Sequence, residues 1–424
     1  MQEHLAIQQL FQVVGDLSQR LDGEQPVAVI LIHYGELGLK GKNRPRFEQR
    51  LLRNIRQALQ GLKFPAPQRL YGRFLLRLPA GNVENAAEAL RRLQTVFGIA
   101  TLTPGVLLSQ RLEVLEEAAK VFASFAAGTT FAVRVKRSQK NFPMSSRQLE
   151  AHLGALIQQQ TGLQVNLSQP DWTFSVELFD QSAVCYTSRL RGARGLPVGV
   201  SGKAVALLST GIDSPVASWK LMKRGVSIVF AHFHSVPYTT PASLQNARTI
   251  VEHLTRWQYY SRLYLVPIAE IQKQIMLQIP APYRVIFYRR TMYRLAEAIA
   301  RREKALALVT GESVGQVASQ TLENLRAVNE VVSLPVLRPL AGDDKEEIIA
   351  LGKEIGTYEL SLLPDEDCCT LFIPRNVVTK AKLATIHTLA QKLELAELES
   401  QAIAAAEIVD FHYPSAPAPV TSNP

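Results

Sequence analysis

Apolar runs alternate with helical periodicity along most of the chain, but their order changes near residue 200. Before that point the pattern reads as two small mixed pieces. Residues 1 to 22 carry Leu5, Leu10, Val13, Val14 and Leu17 at helical spacing and predict a short amphipathic helix, closed by the break "DGEQP". This stretch, 1–26, reads as an extension of the core fold. The segment "VAVILIHYGELGLKGKNRPRFEQRLLRNIRQAL" predicts a strand, a basic glycine-containing loop and a helix with Phe47, Leu51, Leu52 and Ile55 on one face. Strand-like "GRFLLRL" and a helix over 83 to 97 follow. In a second α+β piece from about 105, Phe131, Val133 and Val135 alternate with Arg134 and Lys136, so the two cations take the opposite face of a strand.

After "GLPVGVSGK" the apolar runs "AVALL", "VSIVFAHF", "RLYLVPI", "ALALVT" and "VVSLPVL" alternate with helical stretches. That order predicts a mostly parallel, doubly wound sheet with helices on both faces, whose ligands bind beyond the carboxyl ends of the strands. The end is different in kind. "YPSAPAPVTSNP" from Tyr413 is too poor in apolar residues to bury a core, and 409–424 reads as a disordered tail after a helical stretch near 378 to 408.

Composition changes this picture only at a few points. At 424 residues and 47% hydrophobic the chain has enough material for two or three cores. No run approaches the ~20 apolar residues of a membrane helix, and the N-terminus resembles no secretory signal, so the expected location is cytoplasmic with no membrane partner. Three cysteines make no disulfide framework, and any that matters does so as a thiol. Charge is more telling. Residues 1–200 carry 24 Lys+Arg against 15 Asp+Glu, and residues 201–424 carry 23 against 22, so nearly all of the +10 lies in the first half. Such a surplus suits a polyanion, with Lys40, Lys42 and Arg44 in the first loop and Arg134, Lys136, Arg137 and Lys140 in the second piece as the RNA candidates beside the aromatic Phe142. A solvated basic surface would produce the same pattern.

The first strand of the second half ends in "ALLSTGIDSPV", residues 206–216, and opens into a helix. A Ser/Thr/Gly turn at a helix N-terminus presents backbone N–H groups and a positive dipole end to phosphate. Asp213 does not fit simple anion binding: it implies Mg²⁺ between carboxylate and phosphates, or a helix cap. It is no Walker loop, because Gly202-Lys203 is followed by Ala204. Elsewhere, His232 and His234 share a strand face but lack a third ligand at suitable spacing, so no protein metal cluster is expected. Cys185 lies in strand-like "SAVCYTS" and reads as a buried thiol, whereas Cys368 and Cys369 follow acidic "PDED" in a loop-like stretch.

The stretch at 206–216 resembles the PP-loop of ATP pyrophosphatases, with Thr210 where the motif has its first glycine. Together with "HYGELGLKGKNRPRFE", "ALVTGESVGQVASQTLENL" at 307–325 and "DEDCCTLFIP" at 365–374, it resembles the tRNA 4-thiouridine synthetases over about 27–376. The resemblance implies an N-terminal ferredoxin-like domain (27–85) and a THUMP domain that binds tRNA (86–190), both α+β. It places after them an α/β PP-loop catalytic domain (191–408). It implies ATP-dependent replacement of O4 by sulfur at uridine 8 of tRNA, with a link to sulfur supply for the thiamine thiazole. Ser209, Thr210, Gly211, Asp213 and Ser214 would hold pyrophosphate and its Mg²⁺; Leu207, Leu208, His232, Phe233, Arg289, Gly311 and Gln320 would hold the rest of ATP; Cys369 would carry the sulfur. Longer family members add a rhodanese-like domain. This chain reads as the short form, so a cysteine desulfurase or a separate persulfide carrier is the expected donor, and a homodimer would help one tRNA span binding domain and active site. Two other readings stand beside the enzyme: a tRNA-binding protein that does not turn over ATP, and another PP-loop tRNA modification.

Overall fold

In the computed structural model, which describes residues 2–138, 142–364 and 377–415, the chain divides after Gly195 into two units. The first begins with helix α1 (Gln2–Arg20), whose inward stripe is Ile7, Leu10, Val13 and Leu17; Leu5, expected on that stripe, is 66% exposed. The elements that follow are β1 (Val27–Tyr34), α2 (Arg44–Ala58), β2 (Gln68–Leu70), β3 (Arg73–Arg77), α3 (Val83–Gln94) and β4 (Ile99–Ser109). Then come α4 (Leu112–Ala123), β5 (Thr130–Arg137), α5 (Ser146–Thr161), β6 (Gln164–Val165), β7 (Trp172–Phe179), β8 (Ser182–Tyr186) and β9 (Leu190–Arg191). The strands form one nine-stranded sheet in the order β2-β3-β1-β4-β8-β7-β5-β6, with β9 on β4. The long β4 joins the two pieces, pairing antiparallel with β1 and with β8. Helix α1 packs on α3, α4 and β4, so it buries its apolar stripe against both pieces.

This sheet curls. Three strand spacings separate β1 from β7, ~14 Å in a flat sheet, yet Glu177 of β7 touches His33 of β1 (3.2 Å) and pairs with Arg73 of β3. Val29, Leu31, Leu75, Leu107, Phe179, Val184 and Tyr186 fill the enclosed face. Glu177 is 1% exposed and also accepts from Tyr186 Oη at 3.1 Å. Burial alone would raise its pKa, but the His33 hydrogen bond and charge, then Arg73 and Lys136, outweigh it and hold the carboxyl at about 2. A folded-state pKa below the unfolded value stabilises above about 4.5 and is lost as pH falls toward 2. Glu177→Gln should therefore cost ~3 kcal/mol near neutrality, and the gap from the parent protein should close between pH 4.5 and 2. Urea unfolding of the first unit across that range checks this; a gap independent of pH would contradict it.

The second unit contains β10 (Lys203–Leu207), α6 (Asp213–Lys223), β11 (Ser227–His234), α7 (Ala242–Thr255), β12 (Tyr260–Pro267), α8 (Ala269–Gln278) and α9 (Arg284–Glu303). It continues with β13 (Ala307–Val309), α10 (Leu322–Asn329), β14 (Val336–Leu337), α11 (Lys345–Ile355), α12 (Leu383–Ala390), α13 (Ala396–Ala404) and β15 (Glu407–His412). Its sheet order is β14-β13-β10-β11-β12-β15, all parallel except β15. The chain runs from β10 outward to β11 and β12, then returns to the other side of β10 as β13. Order therefore reverses beside β10, and the crevice of the doubly wound sheet opens at the carboxyl ends of β10 and β13. Val205, Val229, Ala231, Tyr264 and Leu308 pack there against α9, which is buried along most of its length.

One expectation at the end of the chain needs correction. Residues 409–412, assigned to a disordered tail, belong to β15, which pairs antiparallel with β12. The alternation in "EIVDFH" suits an edge strand, and Arg262 fixes it through Asp410 at 2.8 Å. The helical stretch before it is two short helices.

Candidate active site

The turn after β10 is closed by its own side chains. Ser214 Oγ accepts from the Ser209 N–H (2.9 Å), donates to the Ser209 carbonyl (2.9 Å) and lies 3.1 Å from Ser209 Oγ. Thr210 is buried, and no residue from 208 to 214 has positive φ. Thr210 therefore stands in the place of the motif's first glycine without backbone strain. Helix α6 starts at Asp213 with no side-chain cap, leaving its first N–H groups for an anion.

Asp213 does not cap the helix. Its Oδ1 receives Lys345 Nζ at 2.5 Å and its Oδ2 receives Gln316 Nε2 at 3.1 Å. Across the crevice, the loop after β13 brings Gly311 against the same turn. A Cβ on Gly311 would stand 2.6 Å from Ser214 N and 2.8 Å from Asp213 C, both backbone atoms. Gly311→Ala should push the two loops apart at a cost of ~1–3 kcal/mol; urea unfolding of the full chain reads it, and unchanged stability would refute the contact's importance.

These loops enclose a cavity of about 300 Å³ lined by Leu207, Leu208, Ser209, Asp213, Ser214, His232, Phe233, Arg289, Gly311 and Gln320. Ten of the twelve nucleotide-site residues singled out in the sequence thus meet there, while Thr210 and Gly211 complete the turn without lining it. His232 Nδ1 lies 3.0 Å from the Leu208 carbonyl. A carbonyl can only accept, so Nδ1 carries a proton. Neighbouring His234 is held down to about 4 by burial and by His232, and is neutral at pH 7. Among the described residues no three His, Cys, Asp or Glu side chains gather as a metal site. Cys185 is fully buried on β8, where desolvation pushes its thiol up to about 12. Cys368 and Cys369 lie outside the described residues.

The cavity also contains residues the sequence did not single out: Val285, Met292, Tyr293, Thr310, Glu312 and Ser319. Glu312 is the most unexpected, a buried carboxylate inside the quoted "TGES". Lys345 and Gln316 are likewise new. Thr310, Glu312, Gln316 and Ser319 had a sequence signal, their place in the 307–325 block.

In the first unit Arg134 and Lys136 are exposed on β5. Arg134 donates to the Leu167 carbonyl and Arg137 to the Met144 carbonyl at 2.6 Å, so both are engaged by the chain itself. Phe142, expected as a stacking aromatic, is 8% exposed and packs inward. Lys140 lies outside the described residues. Around the first loop Lys42 is exposed, Lys40 sits over the Phe47 ring (5.4 Å), and Arg44 pairs with buried Glu48 (2.7 Å) and stacks on Tyr71 (4.8 Å). Tyr71 is 83% exposed, and with Lys42, Arg44 and Arg69 it borders an open cavity of about 520 Å³. Among the described residues the exposed aromatic of this unit is thus Tyr71, placed by a hairpin turn that no periodicity reveals.

The second unit's serine-closed turn, set at the switch point of a parallel sheet, defines an α/β domain of the PP-loop ATP pyrophosphatase type. Family profiles agree with that class and extend it to both units. "ThiI ferredoxin-like domain" matches residues 29–103, "THUMP domain" 111–187 and "Thiamine biosynthesis protein (ThiI)" 199–395. A probable tRNA sulfurtransferase of Thermus thermophilus is 45% identical over 396 residues, 93% of this chain and 96% of that protein. One of Moorella thermoacetica is 41% identical over 381 residues, 90% and 97%. A solved 4-thiouridine synthetase, crystallised with RNA and ATP, superposes with a TM-score of 0.83 at 37% identity over 91% of this chain and 100% of that one. PH1313 of Pyrococcus horikoshii shares the fold at 22% identity (TM-score 0.60; 78% and 99% covered). The chain belongs to the tRNA sulfurtransferase (4-thiouridine synthetase) family. No helix among the described residues is long and apolar enough to cross a membrane.

Proposed function

We propose that this chain binds tRNA through its first unit and ATP in the cavity of the second, and converts uridine 8 to 4-thiouridine. The observation that carries the reading is the convergence of Ser209, Ser214, His232, Phe233, Arg289, Gly311 and Gln320 on one cavity beside Asp213. A uracil carbonyl oxygen is a poor leaving group. Its O4 therefore attacks the α-phosphorus of ATP, forming an O–P bond and releasing pyrophosphate. The terminal sulfur of a Cys369 persulfide then attacks C4, AMP departs, and a thiol cleaves the S–S bond to leave sulfur on the base.

The turn at 209–214 and Arg289 stabilise charge on the phosphates as it develops. Mg²⁺ suits one carboxylate plus phosphates and water; Asp213 is that carboxylate, and the ion would neutralise the triphosphate. Lys40, Lys42, Arg134 and Lys136 contact the RNA backbone. Sulfur comes from a cysteine desulfurase or a separate persulfide carrier, and the same persulfide serves thiamine thiazole synthesis.

Nucleoside mass analysis of tRNA from a strain lacking the gene tests the reading: 4-thiouridine should vanish, and its persistence would overturn the assignment. Purified protein with ATP and tRNA should thiolate with a desulfurase plus cysteine as well as with sulfide, which displaces AMP at C4 directly without a persulfide; activity with sulfide alone would exclude direct delivery by the desulfurase.

A further inference from the structure

Glu312 is a carboxylate in a cavity that the proposed function fills with phosphates, which makes it electrostatically out of place. It is nonetheless built in. Its side chain is 6% exposed, and Oε2 accepts from Arg338 Nε at 2.6 Å, Thr310 Oγ1 at 2.9 Å and Tyr293 Oη at 3.0 Å. Its other oxygen, Oε1, pairs with Arg289. Three donors thus pin one oxygen so that the second faces a single guanidinium. That guanidinium is itself forked: Arg289 Nη1 donates to the Ser319 carbonyl at 2.7 Å, beside Gln320. Arg289 therefore bridges the loop after β13 and the 318–320 turn, the two walls of the cavity, with Glu312 fixing one end.

Arg338 does not line the cavity. It backs the carboxylate from behind, also donating to Asn329 Oδ1 (3.2 Å), without competing for its inward oxygen. If the cavity were built for affinity alone, a negative charge beside Arg289 would be a defect, since it cancels attraction for the triphosphate. A pinned carboxylate instead fixes the direction of the guanidinium, which matters most as charge shifts during attack at the α-phosphorus.

We infer that Glu312 is a positioning residue for adenylation, acting through Arg289 by holding its guanidinium in the orientation that the transition state requires. This inference rests on ATP-dependent adenylation in the cavity. The test is steady-state kinetics of 4-thiouridine and AMP formation by the full chain with tRNA, sulfide and ATP. Glu312→Gln keeps the shape and removes the charge: kcat should fall at least tenfold while KM for ATP stays within twofold or drops. Arg289→Ala should raise KM for ATP at least tenfold. In the double variant the Glu312→Gln change should add nothing to the loss in kcat/KM from Arg289→Ala. Glu312→Asp, which retains the charge, should recover part of kcat, and it keeps the test alive should Glu312→Gln fail to fold. Multiplying effects in the double variant, a raised KM with unchanged kcat in Glu312→Gln, or an Asp variant no better than Gln would overturn the inference. Absence of both products with the parent protein would instead overturn the adenylation reading itself.

Discussion

Asp213→Asn should lower single-turnover AMP formation by roughly 100- to 1,000-fold at saturating ATP and tRNA, with little change in thermal stability. The side chain is isosteric, and Asp213 takes no part in capping α6, so the helix has no reason to fray. What changes is charge. At present Oδ1 and Oδ2 hold Lys345 and Gln316, one cation and one amide, at the rim of the turn. An amide can still accept from one of them but offers Mg²⁺ a weak ligand and leaves the Lys345 ammonium uncompensated. The loss should fall on the chemical step, because the serine turn, Arg289 and the helix N-terminus still attract ATP. A rate within threefold of the parent protein would remove Asp213 from the reaction.

With a cysteine desulfurase and cysteine as the donor, Cys369→Ser should abolish 4-thiouridine while sparing the first half-reaction. Serine is close in size, but its hydroxyl cannot carry a persulfide, and nothing about O4 attack on ATP involves a thiol. With labelled ATP the variant should release pyrophosphate and leave AMP on the tRNA, up to one equivalent, in place of thiolated product. Cys368→Ser in parallel reports whether its neighbour shares the work. Thiolation surviving in Cys369→Ser would move the sulfur to another residue, and loss of pyrophosphate release would mean that the two half-reactions are not separable. Buried Cys185 is no rival, since its thiol is held protonated by its surroundings.

Much of the fold was legible because periodicity reports burial. The parallel strands of the second unit are continuous apolar runs, and the strand carrying Arg134 and Lys136 shows its exposed face by alternation. The tail was misread at 409–412 because an edge strand buries only one side: Ile408 is 38% exposed, so "EIVDFH" resembles a loop until β12 offers it hydrogen bonds. Where the extension 1–26 docks was not legible for a related reason, since an amphipathic stripe shows that a partner exists without saying which, here α3, α4 and β4. Phe142 could not be distinguished from a surface aromatic by its basic neighbours.

By itself the sequence determined the chemistry on offer: a small-residue turn at a helix N-terminus with one carboxylate, a basic first half and paired cysteines after an acidic run. These are local properties of residue type and spacing. Tertiary structure alone decided which groups act together, because Gly311 meets Ser214, Lys345 meets Asp213 and Arg289 meets Glu312 only once the sheet reverses direction at β10. It also settled Thr210, whose backbone needs no glycine, and it left Lys136 exposed on β5 while Arg134 and Arg137 both donate to carbonyls of the chain, those of Leu167 and Met144.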